Sequence, residues 1–150
     1  MDFWISNKRP QLLKLIKRID MLVINEGEAR QLFETPNLIQ AGHRALEIGP
    51  EFVVIKKGEH GALLFSNRGI FGIGGYPLET VTDPTGAGDA YRAGFFVGYE
   101  LGYDWKICGQ MGAVAAGFAI EKFGTQIPFT QEEFCERYKK AFGEEISLII

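Results

Sequence analysis

Cysteine is scarce in this sequence: two residues, Cys108 and Cys135, among 150. They stand far apart and neither belongs to a Cys-x-x-Cys pair. Both read as buried or half-buried thiols in a reducing compartment. Histidine is as rare, and neither His43 nor His60 combines with cysteine or a second histidine into a zinc set. No apolar run approaches the roughly 18 residues of a membrane span. The start, Met1-Asp2-Phe3-Trp4-Ile5, lacks the basic residues and apolar stretch of a signal peptide. A cytoplasmic protein with no membrane partner is the expectation. Positive charge is not in excess either: 16 Lys and Arg face 19 Asp and Glu, for a net charge of -3. The basic residues are scattered, with only short pairs such as Lys56-Lys57 and Lys139-Lys140, so no basic stripe points to nucleic acid.

What is present is ordinary globular composition, 46% hydrophobic and 23% charged, enough for one domain with a core. No internal repeat, low-complexity stretch or linker interrupts it. The hydrophobic pattern alternates helix and strand. Gln11 to Ile19 predicts a helix, Met21 to Ile24 a buried parallel strand, Glu26 to Phe33 a helix, and a further helix runs from Leu38 to Ile48. Phe52 to Ile55 is the next buried strand. Gly61 to Ser66 and Gly69 to Ile73 form a hairpin around Asn67-Arg68, and Leu78 to Thr82 is another strand. Three helices follow, from Ala87 to Leu101, Trp105 to Lys122 and Gln131 to Phe142. Alternation of this kind predicts an α/β domain with a largely parallel sheet, and the helix-free stretch at 61–82 an antiparallel edge.

The segment Asp83-Pro84-Thr85-Gly86-Ala87-Gly88-Asp89 carries the chemistry. A strand end, a small-residue loop and a helix start coincide there. Such a loop leaves backbone N–H groups uncovered, and the helix N-terminus adds partial positive charge, which together make an anion cradle. Asp89, in the first helical turn, has two readings. It can simply complement the helix dipole. It can also take the proton of a substrate hydroxyl while the cradle stabilises a transferring phosphoryl group. A Walker A loop is excluded, because no Lys-Ser or Lys-Thr follows these glycines, and a dinucleotide fingerprint would need glycine at Tyr91.

Asp83 to Ala90, followed by Ala93-Gly94-Phe95, resembles the C-terminal signature of the ribokinase-like (PfkB) carbohydrate kinases. The resemblance implies a three-layer α/β ribokinase-like domain with a mainly parallel sheet flanked by helices, incomplete because the N-terminal half and its lid are absent. Residues 1–150 then form the C-terminal nucleotide-binding and catalytic half. It implies Asp89 as catalytic base, the amides of Gly86, Ala87 and Gly88 as anion hole, Thr85 at the nucleotide, and Asp83 beside a monovalent cation such as K+. Asn25-Glu26-Gly27-Glu28 matches the family's Asn-x-x-Glu motif, which places Asn25 and Glu28 at Mg2+ and the phosphates; Asn25 can equally cap a helix with Glu28 completing a capping box. Lys57, Gly58 and Gly61 resemble the strand-turn beside the nucleotide phosphates, or form a plain glycine turn. Ala116 and Gly117 would wall the adenine, or serve close helix packing. Phe123-Gly124-Thr125-Gln126 resembles the closing loop.

Two departures stand inside the motif: Pro84 replaces a threonine, and Arg92 stands where small or apolar residues are usual. Arg92 lies three residues after Asp89 on one helix face, placed either to pair with it or to contact an anionic substrate. The implied activity is ATP- and Mg2+-dependent phosphoryl transfer to a hydroxyl of a sugar or nucleoside. The implied partners are that substrate and the missing half, with homodimerisation of the full-length form left open. The rival readings are a nucleotide-binding fragment or regulatory module without catalysis, and an α/β domain that binds nothing. The chain itself would be a truncated form, a gene fragment or half of a split enzyme.

Overall fold

The computed structural model describes residues 1–124 and 128–148. They divide into two compact units: Met1–Gly58 with Ala62–Gly72, and Glu59–Gly61 with Ile73 onward. Among the described residues no helix is long and apolar enough to cross a membrane.

The first unit opens with α1, Asp2–Ile16. This helix begins nine residues earlier than the periodicity predicts, because Ile5 is buried, 3% exposed, in the same core as Ile16. Lys8 breaks it (φ -138°, ψ 29°). Pro10 then restarts the helix, since its fixed φ and missing N–H suit a first turn. Strand β1, Met21–Asn25, pairs in parallel with β2, Phe52–Lys56, from Met21 opposite Phe52 to Asn25 opposite Lys56. The crossover between them carries α2, Glu26–Leu32, and α3, Leu38–Ile48. Strand β3, Ala62–Ser66, runs antiparallel to β2, and β4, Gly69–Ile73, completes the order β1-β2-β3-β4. The parallel pair and the antiparallel edge both stand where the sequence places them.

Val53, Val54 and Ile55 of β2 are fully buried, as expected of a strand covered on both faces. Helix α3 reaches this sheet through Ala41, Gly42 and Ala45, all buried. A Cβ at Gly42 would run into the ring of Phe65, which is itself fully buried. Gly42→Val is therefore expected to lower stability by about 1–3 kcal/mol, read as a lower urea midpoint with an unchanged slope.

In the second unit, the strand expected at Leu78 to Thr82 does not form. Residues 74–86 carry neither helix nor strand. The backbone N–H groups of Thr82 and Asp83 instead donate to the carbonyl of Ile120, at 2.8 and 3.3 Å, so the end of a helix takes the bonds a neighbouring strand would have taken. That helix is α5, Trp105–Ile120; it pairs with α4, Ala87–Glu100, and with α6, Gln131–Phe142. The α4–α5 approach depends on glycine. A Cβ at Gly94 would lie 2.6 Å from the Met111 carbonyl oxygen, and one at Gly112 would lie 2.8 Å from the Tyr91 carbonyl oxygen. Helix α6 begins with a Thr130–Glu133 capping box and buries Phe134 and Tyr138 against Met111, Val114 and Phe118. The Tyr138 hydroxyl donates to Gln110 Oε1 at 2.6 Å.

Candidate functional site

The turn that precedes α4 is built around Asp83. Its Oδ1 accepts the Thr85 N–H at 2.9 Å, closing a side-chain turn of the kind aspartate favours. The Thr85 hydroxyl and amide together hold the Asp83 carboxyl below its ordinary pKa, with a smaller contribution from the Gly124 amide. Gly86 follows at φ 82°, ψ -9°, a left-handed position that glycine takes without steric cost. The Ala87 N–H bonds back to the Pro84 carbonyl at 3.3 Å, and the Gly86 carbonyl accepts the first helical bond from Ala90 at 2.9 Å.

Side chains of Asn25, Asn37, Asp104 and Thr130 cap α2, α3, α5 and α6, whereas no side chain caps α4 or α1. No side chain occupies the first-turn amides of α4, of which the Ala87 N–H bonds to the Pro84 carbonyl, and the helix dipole adds partial positive charge at the same point. Gly86, Ala87 and Gly88 are half-buried, and the Asp89 side chain is 80% exposed. The structure thus brings Asp83, Thr85, Gly86, Ala87, Gly88 and Asp89 into one turn. Arg92 joins them: its Nη2 donates to Asp89 Oδ1, so of the two readings of Arg92 the ion pair is the one realised.

The remaining expected residues are placed more variously. Gly117 is buried, and a Cβ there would lie 2.7 Å from the ring of Tyr76; Ala116 beside it is half-buried. Gly61, at φ 79°, is pressed on the backbone of residues 73–75, where a Cβ would collide with the Ile73 carbonyl, so close packing accounts for a glycine at that position. Gly58, at φ 58°, differs, because nothing lies within 4 Å of its missing Cβ. In the first unit, Asn25 and Lys56 are register partners at the C-terminal ends of β1 and β2. Asn25–Glu28 and Lys57–Gly58 therefore leave the sheet at the same end, where ligands of open α/β sheets bind.

Asn25 and Glu28 form the capping box that was one of their two readings. Asn25 Oδ1 accepts the Glu28 N–H at 2.8 Å, and Glu28 Oε2 accepts the Asn25 N–H at 3.0 Å. Glu28 Oε1 also meets the Met1 ammonium at 3.2 Å. Among the described residues no group of three His, Cys, Asp or Glu is arranged to hold a metal. Two hard oxygen donors, one exposed and one half-buried, fit an ion that keeps most of its waters, which is how Mg2+ is usually bound. In the loop Phe123-Gly124-Thr125-Gln126, Thr125 and Gln126 lie outside the described residues.

Sequence reasoning missed Tyr76 and the Ile120 carbonyl. Tyr76 contacts Gly117 and lies beneath the Arg137 guanidinium, 5.6 Å from its ring centroid; no local pattern marks it. It also missed an apolar groove of about 310 Å³ lined by Ala90, Ala93, Val97, Met111, Phe129 and Leu148, among others. Lacking charged groups, this groove is no phosphate site.

Comparison with known proteins gives the family and the fold. The family described as pfkB carbohydrate kinases matches residues 2–132. A nucleoside kinase of Methanothermobacter thermautotrophicus is 37% identical over 139 residues, 91% of this chain and 43% of that protein. Among solved structures, adenosine kinase from Sinorhizobium meliloti is 30% identical with a TM-score of 0.80, over 90% of this chain and 41% of that one. The nucleoside kinase of Methanocaldococcus jannaschii, described as an archaeal member of the ribokinase family, is 29% identical with a TM-score of 0.76, over 90% and 44%. The fold is therefore ribokinase-like, and the chain spans less than half the length of the relatives it matches.

Proposed function

The chain belongs to the pfkB family of carbohydrate kinases, and from that premise we propose that it carries the C-terminal, nucleotide-binding and catalytic part of a kinase that moves the γ-phosphoryl group of ATP to a hydroxyl of a sugar or nucleoside. The single observation that carries this reading is the uncapped N-terminus of α4, with an exposed Asp89 one residue beyond three half-buried small residues.

The acceptor hydroxyl gives its proton to Asp89 as its oxygen attacks the γ-phosphorus. The bond from that phosphorus to the β–γ bridging oxygen breaks, and ADP leaves. In this reading charge on the passing phosphoryl group falls on the amides of Gly86, Ala87 and Gly88, the Ala87 N–H sharing or giving up its 3.3 Å bond to Pro84 as it does so. By resemblance to the family, the candidate nucleotide contacts are Lys57 and Gly58 in the first unit and Gly61, Thr85, Ala116 and Gly117 in the second. Asn25 and Glu28 would hold magnesium through water, and its charge would offset that of the phosphates. Asp83, kept ionised by Thr85, fits a monovalent cation such as potassium. The rest of the kinase domain and the acceptor itself are the partners in this account.

Calorimetric titration of the chain with ATP and Mg2+ tests the nucleotide part: saturable 1:1 binding is expected, and no heat of binding would remove the proposal. The two roles of Glu28 separate by substitution. Glu28→Gln retains a capping-box acceptor, so stability is expected to hold. The Mg2+ concentration giving half-maximal activity is expected to rise, because a carboxylate next to the ion is lost. Unchanged Mg2+ dependence would leave Glu28 with capping alone.

A further inference from the structure

Arg92 has no part in the mechanism so far, yet it is bonded to the group on which that mechanism turns. Its guanidinium reaches one helical turn back and donates Nη2–H to Asp89 Oδ1. The backbone that carries it is held firmly. Tyr91 next to it is buried, 5% exposed, and the Tyr91 carbonyl faces Gly112 of α5 so closely that no Cβ fits between them. The two charged ends, by contrast, lie in solvent: 43% of the Arg92 side chain and 80% of the Asp89 side chain are exposed. Exposed pairs at this spacing contribute little to stability and are screened by salt. Structural support therefore does not account for the pair.

We propose that Arg92 is a positioning residue for the catalytic carboxylate, an inference that rests on the phosphoryl-transfer reading above. An unrestrained aspartate at a helix start samples several rotamers. Tying Oδ1 to a guanidinium on the next turn restricts that set and leaves Oδ2 to receive the acceptor proton. Arginine suits this better than lysine, because its planar fork loses less freedom per bond formed.

The test uses the polypeptide that carries this chain, with ATP, Mg2+ and neutral acceptors, ribose and inosine. Wild-type transfer to either establishes the underlying reading; where neither accepts, further neutral sugars and nucleosides are offered, and absence of transfer to any of them would overturn both. Given transfer, Arg92→Met is expected to lower kcat by about 10- to 100-fold, the scale of a misplaced catalytic group. KM for ATP and acceptor is expected to stay within about twofold, with an unchanged urea midpoint. Arg92→Lys should recover part of the loss. In an Asp89→Asn background, Arg92→Met should cost nothing further, because the group it positions is gone. Three results would overturn the proposal: an unchanged kcat, equal fold losses in both backgrounds, or an effect confined to KM for an acidic acceptor such as 2-dehydro-3-deoxygluconate.

Discussion

Asp89→Asn, in the polypeptide that carries this chain, is expected to lower turnover by about 10³–10⁴-fold, the upper range for loss of a positioned general base. ATP affinity should stay within about twofold, because in the proposed mechanism the amides of Gly86–Gly88 and not the carboxylate would meet the phosphates. Stability should change little, since the side chain is 80% exposed and asparagine is tolerated in a first helical turn. Loss of dipole complementarity amounts to about 0.3–1 kcal/mol. Steady-state kinetics and calorimetry on one preparation separate these effects. Turnover within a few-fold of wild type would remove Asp89 from the chemistry and return it to its bland role at the helix dipole.

The second large effect is structural and acts on the same turn from behind. Gly94→Val is expected to cost about 3 kcal/mol, at the upper end for overpacking a core. Even the first carbon of the new side chain would lie 2.6 Å from the Met111 carbonyl oxygen and 2.8 Å from the Ala115 Cβ. The first of these is backbone and can yield only by moving α5. Because the Ile120 carbonyl at the end of α5 anchors the N–H groups of Thr82 and Asp83, a shift of α5 carries into the turn that holds Asp89. A fall in the urea midpoint together with weaker ATP binding is the expected pair of results. Weaker stability with unaltered ATP affinity would show that the turn does not depend on the helix pair.

The turn was legible because everything that makes it is local. A left-handed glycine, small residues, an aspartate that bonds its own loop and a helix start all lie within seven positions. The strand expected at Leu78 to Thr82 fails for the opposite reason. Its threonines and valine suit a strand, but the partner of the Thr82 and Asp83 amides is a carbonyl some forty residues later in the chain, which a local pattern cannot report. The start of α1 was misplaced because the apolar periodicity shows only from Gln11 onward, whereas Pro10 opens the second segment of a broken helix whose first segment buries Ile5. Asn25 and Glu28 carried two readings from the start. Both capping-box hydrogen bonds are present, and the metal role rests on donor chemistry and position. Gly58 and Gly61 looked alike in sequence, yet one faces open space and the other is pressed on residues 73–75. Only the fold separates the exposed turn glycine from the packed one.

The most direct test of the central claim is acceptor-dependent ADP formation. The polypeptide that carries this chain is supplied with ATP and Mg2+ and then offered neutral sugars and nucleosides in turn. The account predicts ADP release that rises with one of these acceptors, matched mole for mole by a phosphorylated product, and lost in Asp89→Asn. Saturable ATP binding with no phosphorylated product from any acceptor would contradict it, and would leave the turn at α4 as a nucleotide-binding element without catalysis.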